Sequence, residues 1–277
     1  MQIVDLYEQL RLPRGDAEAG YLTCYTHSRL PEIARTRVHP AILLIPGGAY
    51  RFISQREGEP VALRFLAMGY DVFMLSYDIA PRHHYPRPLL QAGMAMAYLR
   101  DNAASLRIDG EHIAVMGFSA GGHLAGCMAL LWDDEALRPI PGDGARLRPD
   151  AAVLGYPVVT ADERYRHAES LCNFCGDIVP QERYSLERRV RVDAPPVFLW
   201  TTARDTLVPA QNSLLLYGAL LAAGTPAELH VFSEGEHGLA AADAETNDGL
   251  DGLCEHVTHW TELASEFLHT YGFSVRY

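Results

Sequence analysis

One junction limits the folds open to this chain more than any other feature. The apolar run 113–118 passes with no connecting loop into 120–132, whose Ala, Leu and Gly pattern reads as a helix. A short continuous apolar run fits a strand buried on both faces, which belongs in a sheet covered by helices on each side. The rest of the chain repeats the theme. Residues 41–45, 71–77, 152–159, 197–202 and 228–232 read as further strands, and 21–27 as an outer one. Helix patterns fall between them. One covers 60–68, with Pro60 at its start and Gly69 just past its end, and another carries the stripe Leu90, Met94, Ala97 and Tyr98. A third covers 210–223 and stops at Gly224, and a final amphipathic helix is marked by Val257, Trp260, Ala264, Phe267 and Leu268. Such alternation predicts an α/β fold with a mostly parallel sheet and helices on both faces.

With 277 residues, 48% of them hydrophobic, the chain can fill one large core, so a single domain over 1–277 is expected. Two stretches interrupt the alternation: 133–150, rich in Gly, Pro and Arg, and 161–194, polar and without a period. Long irregular insertions of this kind read as lid or cap segments, with a plain surface excursion the alternative for the first. A net charge of -12 argues against a nucleic-acid partner, and the basic run Arg188, Arg189, Arg191 is short and bracketed by acidic residues. No apolar window is long enough to cross a bilayer, so no membrane association is expected. Residues 1–11 lack the basic start and apolar core of a secretory leader, and the five cysteines are an odd number. Both points suit a reducing, cytoplasmic compartment. Cys172 and Cys175 form a C-x-x-C without a second pair, read here as two ordinary thiols in a variable loop.

The strand-to-helix junction carries Gly117-Phe118-Ser119-Ala120-Gly121, the G-x-S-x-G pattern of a nucleophile elbow. The turn is sharp, so small residues two before and two after the serine let strand and helix approach. The hydroxyl then stands exposed at the positive end of a helix. Acyl transfer builds charge on the carbonyl oxygen, and donors must be waiting for it. The backbone N–H of Ala120 is one. Pro46-Gly47-Gly48-Ala49-Tyr50, after the strand 41–45, supplies Gly48 and Ala49 as the others, with Gly47 a further candidate.

Twelve histidines compete to be the base. The chain order serine, acid, histidine leaves His167, His230, His237, His256, His259 and His269. His237 sits between Gly235 and Gly238 in a loop after the strand 228–232, at the carboxyl edge where such sheets place their sites. His230 lies within that strand, the last three lie near the C-terminus on a helix, and His123 reads as a helix-packing residue. Asp205, following 197–202, is the expected partner for the imidazole, although Arg204 beside it offers a plain ion pair instead. Asp193 precedes its strand, and Glu234 and Glu236 are close to His237 in sequence. No H-E-x-x-H and no phosphate-binding glycine loop is present, so neither a metal nor a cofactor is indicated.

Taken together, Pro46-Gly47-Gly48, Gly117 through Ala125, Asp205 and His237 resemble the acetyl esterase and acetylxylan-esterase-like branch of the α/β hydrolases, near the hormone-sensitive-lipase-like carboxylesterases. The stretches 57–62, 185–187, 194–198, Val208-Pro209 and Asn212-Ser213 add to the likeness, which runs in outline from 40 to 270. The resemblance implies an eight-stranded sheet and a triad of Ser119, Asp205 and His237. It also implies a small-molecule ester partner with a short acyl group, acetylated sugars being one class, and leaves a homodimer open. The chain departs from the family at Ala49, where many relatives have a third glycine, and at Arg204, where they often have a second aspartate. Relatives of this size include amidases acting on formylated aromatic amines, which is the alternative activity. A non-catalytic receptor on the same fold is a third reading, disfavoured because no triad member is missing.

Overall fold

The computed structural model describes all residues except 1, 29, 31, 33–35 and 248–253. The first residues pair as an edge strand, β1 (Gln2–Asp5), followed by the short helix α1 (Leu6–Leu10) and by β2 (Tyr21–Tyr25). Strands and helices then alternate: β3 (His39–Ile45), α2 (Glu59–Ala67), β4 (Asp71–Ser76), α3 (Arg87–Asp101), α4 (Ala103–Leu106), β5 (Ile108–Phe118) and α5 (Ser119–Leu130). The second half continues with β6 (Ala151–Gly155), α6 (Ala168–Cys175), β7 (Val197–Thr202), α7 (Gln211–Ala222), β8 (Ala227–Phe232), α8 (Ala244–Asn247) and α9 (Trp260–Thr270). The eight strands form one sheet in the order β1-β2-β4-β3-β5-β6-β7-β8. β2 runs antiparallel to β1 and β4, and every pairing from β4 to β8 is parallel.

Alternate side chains of each central strand enter separate cores. Ala41, Leu43 and Ile45 join the face covered by α3 and α5, whereas Ile42 and Leu44 face α2 and α9. All seven residues of β3 and all twelve of α5 are buried, which is why neither shows a polar face in the sequence. Strand order reverses at β3: β4 lies on one side of it and β5 on the other. At such a switch point the connections leave in opposite directions and open a crevice at the carboxyl ends. The loop after β3 and the turn after β5 both lie there.

Several boundaries differ from expectation: β5 begins at Ile108 rather than 113, and β2 ends at Tyr25 rather than 27. The strand expected over 152–159 ends at Gly155, because Tyr156 takes φ +35° and Pro157 has no N–H to pair. The C-terminal helix begins at Trp260, and Val257 lies on a 3-10 turn, Glu255–His259, which also carries His256 and His259. Of the two interruptions, 133–150 forms two 3-10 turns, Glu135–Leu137 and Gly144–Leu147, that pack on α3. The stretch 161–194 contains α6, where Cys172 and Cys175 occupy successive turns of a helix rather than a loop, and both are free thiols. No helix among the described residues is long and apolar enough to cross a membrane.

Candidate active site

Ser119 sits where β5 turns into α5, with φ +53°, a conformation that costs a non-glycine residue energy. The neighbouring glycines show what forces the turn. A Cβ on Gly117 would stand 2.2 Å from the Gly121 carbonyl oxygen, and one on Gly121 would stand 2.2 Å from that of Ile45. The helix start is thus pressed against the end of β3, and larger residues would part them.

Ser119, His237 and Asp205, distant in sequence, meet at the carboxyl edge of the sheet. The His237 Nε2 lies 2.8 Å from the Ser119 Oγ, and its Nδ1 lies 2.6 Å from the Asp205 Oδ2. A carboxylate only accepts, so Nδ1 carries the proton and Nε2 offers its lone pair to the serine hydroxyl. The other Asp205 oxygen accepts the backbone N–H groups of Leu207 and Val208, 2.9 and 2.8 Å away, which fixes the carboxylate before the histidine uses it. Arg204 does not compete. Its guanidinium turns outward to Glu234 at 3.0 Å. Asp193 is likewise engaged elsewhere, by Arg191.

The loop after β3 is bent by three successive left-handed residues, Gly48, Ala49 and Tyr50. Arg51 and Phe52 donate their N–H groups to the Gly48 carbonyl, and Ser54 donates to that of Gly47. The Gly47 N–H is taken by the Glu57 carboxylate at 2.7 Å, which removes Gly47 from the expected donors. The amides of Gly48 and Ala49 meet no acceptor among the described residues, and the Ala120 N–H belongs to the unpaired first turn of α5. A side-chain frame holds the loop from behind. The Tyr77 hydroxyl donates to the Pro46 carbonyl at 2.7 Å, and Asn173 on α6 donates to that of Ala49 at 2.8 Å. Tyr50 donates to the His123 Nδ1 at 2.8 Å, and the His123 Nε2–H donates to the Tyr184 carbonyl at 2.9 Å. Burial pushes the His123 imidazole down to about 4 and the Tyr50 phenol well up, so both keep these roles near neutral pH. His123 is the packed histidine the sequence suggests, with the added duty of anchoring Tyr50.

The other histidines stand apart. His167 caps the N-terminus of α6, and burial, then the nearby His237, hold it below the usual range. His230 binds Glu228 at 2.6 Å on the edge strand, and His269 lies on α9. Glu57, Tyr77, Tyr156 and Asn173 were not identified from sequence as parts of the site. Glu57 lies in a stretch shared with the family, but nothing in its local pattern says that it folds back onto Gly47.

Among the described residues one trio has metal-ligand chemistry: His27, His39 and Asp71, with ligand atoms within 4.8 Å of one another. It lies at the amino ends of β3 and β4, away from Ser119. Its two rings stack in parallel, 3.9 Å apart, so their lone pairs lie in parallel planes instead of converging. Asp71 is already bound by His27 at 2.7 Å. The trio as arranged ties the end of β2 to the sheet.

Known proteins share this architecture. A family model described as BD-FAE matches residues 29–146. An acetylxylan esterase of Xylanibacter ruminicola is 30% identical over 239 residues, covering 83% of this chain and 46% of that protein. MGS-M1, an alpha/beta hydrolase enzyme from a Medee basin deep-sea metagenome library, is 35% identical, with a TM-score of 0.74 over 91% of this chain and 92% of its own. The acetyl ester-xyloside bifunctional hydrolase from Caldicellulosiruptor lactoaceticus is 33% identical, with a TM-score of 0.82 over 98% and 97% of the two chains. This chain spans 34%, 46% and 49% of the length of three of the curated relatives it matches.

Proposed function

The chain belongs to the α/β-hydrolase family, and from that premise we propose that it is a serine carboxylesterase hydrolysing short acyl esters. The observation that carries the reading is the continuous hydrogen-bonded chain from Asp205 through His237 to Ser119. In the proposed reaction His237 accepts the Ser119 proton at Nε2 as the oxygen attacks the ester carbonyl. Asp205 steadies the imidazolium that results. The tetrahedral oxyanion forms against the amides of Gly48, Ala49 and Ala120, which are held in place before substrate arrives and need no reorganisation. His237 then protonates the leaving alcohol, which departs and leaves an acyl-serine. Water enters, gives its proton to His237 and attacks the acyl carbon; collapse of the second intermediate returns the proton to Ser119 and releases the acid.

Acetyl groups on carbohydrate are the proposed substrate class. The names of an acetylxylan esterase relative and of an acetyl ester-xyloside hydrolase neighbour support this. The whole is read as one domain, with α6 and the turns after it forming a wall beside the loop at Gly48 and Ala49. The odd number of cysteines, five, suits a reducing compartment such as the cytoplasm. The test is Ser119→Ala, assayed on p-nitrophenyl acetate and acetylated xylo-oligosaccharides. It is expected to lose on the order of 10⁴-fold or more in kcat and to escape labelling by a fluorophosphonate. Hydrolysis at the parent rate by the folded variant would refute the assignment.

A further inference from the structure

Glu57 lies beyond the loop at Gly48, just before α2, and is 3% exposed. Among the described residues it has no cationic partner within salt-bridge distance. A buried carboxylate without a counter-charge is costly, and it persists only where hydrogen bonds compensate it. Here the donors are neutral, and they come from opposite sides of the site. One Glu57 oxygen accepts the Gly47 N–H at 2.7 Å, and the other accepts the Tyr156 hydroxyl at 2.8 Å. The Tyr156 oxygen in turn accepts the Ala240 N–H at 2.9 Å. Gly47 precedes the two loop donors, and Ala240 lies three residues beyond His237. The Tyr156 ring also packs edge-on against the His237 imidazole, with centroids 4.9 Å apart. Burial raises the Tyr156 phenol well above its ordinary range, so it stays a donor. Its φ of +35° is a strained conformation for a residue with a side chain, of the kind that collects at functional sites. A Cβ placed on Gly47 would be 2.7 Å from the Glu57 Oε2 and 3.0 Å from the Ser119 Cβ, so one glycine backbone separates the carboxylate from the serine.

Resting on the esterase reading above, we propose that Glu57 and Tyr156 are positioning residues. Together they form a clamp that sets the oxyanion loop and the His237 loop at a fixed separation across Ser119. Neither touches the reacting atoms; each acts by holding backbone that does. Because misplacement by about 1 Å can cost about 10²-fold in rate, the clamp acts on kcat rather than on substrate binding.

Tyr156→Phe is the decisive variant, since it keeps the ring beside His237 and removes only the bridging hydroxyl. Glu57→Gln keeps the side chain's shape but turns one acceptor into a donor facing donors. Each is expected to lower kcat for p-nitrophenyl acetate by about 10- to 100-fold while KM stays within about threefold, at temperatures well below its own melting transition. The double variant should lose no more than about the worse single one, because both break the same link. A folded Tyr156→Phe protein with kcat within about twofold of the parent, or with its loss entirely in KM, overturns the clamp. If Glu57→Gln does not fold, Tyr156→Phe alone decides. Ser119→Ala measured beside them separates the two ideas. An inactive Ser119→Ala with a fully active Tyr156→Phe removes the clamp and leaves the esterase. An active Ser119→Ala removes the esterase reading itself.

Discussion

Replacing Asp205 by asparagine tests the proposed chemistry with the least change of shape. The side chain of Asp205 is completely buried, and its two oxygens have separate partners: Oδ1 accepts from Leu207 and Val208, and Oδ2 faces the His237 Nδ1 at 2.6 Å. In Asp205→Asn the amide oxygen can keep both backbone donors, which leaves the NH₂ group pointing at Nδ1. Two N–H groups cannot face each other, so the imidazole must move its proton to Nε2, where it opposes the serine hydroxyl instead of accepting from it. The base is then lost although every atom is near its former place. Loss of the correct tautomer in a triad of this kind costs about 10⁴-fold in kcat, or about 5 kcal/mol at 1.36 kcal/mol per decade. The fold loses far less, on the order of 1–2 kcal/mol for a weakened charged hydrogen bond. The assay pairs initial rates on p-nitrophenyl acetate with a thermal melt of the same preparation. An Asp205→Asn protein retaining kcat within about tenfold of the parent would show that this carboxylate does not govern the histidine. Arg204→Ala is the control. Its ion pair with Glu234 is exposed on both sides, so kcat and melting should stay essentially unchanged.

Three further outcomes follow from the packing. Gly121→Ala should destabilise by about 3 kcal/mol, because the added carbon meets the backbone oxygens of Ile45 and Pro46, which cannot rotate away; urea titration measures it, and a loss below about 1 kcal/mol would contradict the close approach at the elbow. Asn212→Ala should cost about 2–4 kcal/mol by the same measurement, since one buried amide accepts from Val159 and Thr160 and donates to Tyr165 and Pro209. Stability should also fall with pH through His123. Its folded value of about 4 lies below the ordinary 6.5, so the unfolded chain takes up the proton first. The contribution is complete above about pH 6.5 and is lost as pH falls to about 4, roughly 3 kcal/mol in all. Urea melts of the parent and of His123→Gln across that range should differ in slope, and equal slopes would exclude this source.

The alternation of buried runs and helical stripes was enough, before any coordinates, to define a mostly parallel sheet covered on both faces. Each period is a local consequence of which side chains must leave water. Ser119 was legible for the same reason: its glycines, strand and helix are contiguous, and the turn they make needs nothing from elsewhere in the chain. His237 and Asp205 could be narrowed by their places after strands and paired as an expectation, with Arg204 left as a local rival for the acid. Only the folded sheet, by setting the end of β7 beside the loop after β8, turned Arg204 outward and brought Asp205 to the imidazole. Glu57 and Tyr156 lay wholly beyond sequence reasoning. Tyr156 looked like one more apolar residue of a strand, and its backbone turn becomes evident only where β6 ends and the chain must pass the site. The partners of the buried Glu57 carboxylate are a backbone amide and a hydroxyl from other segments, groups whose identity leaves no pattern in the chain and whose meeting is a property of tertiary structure alone.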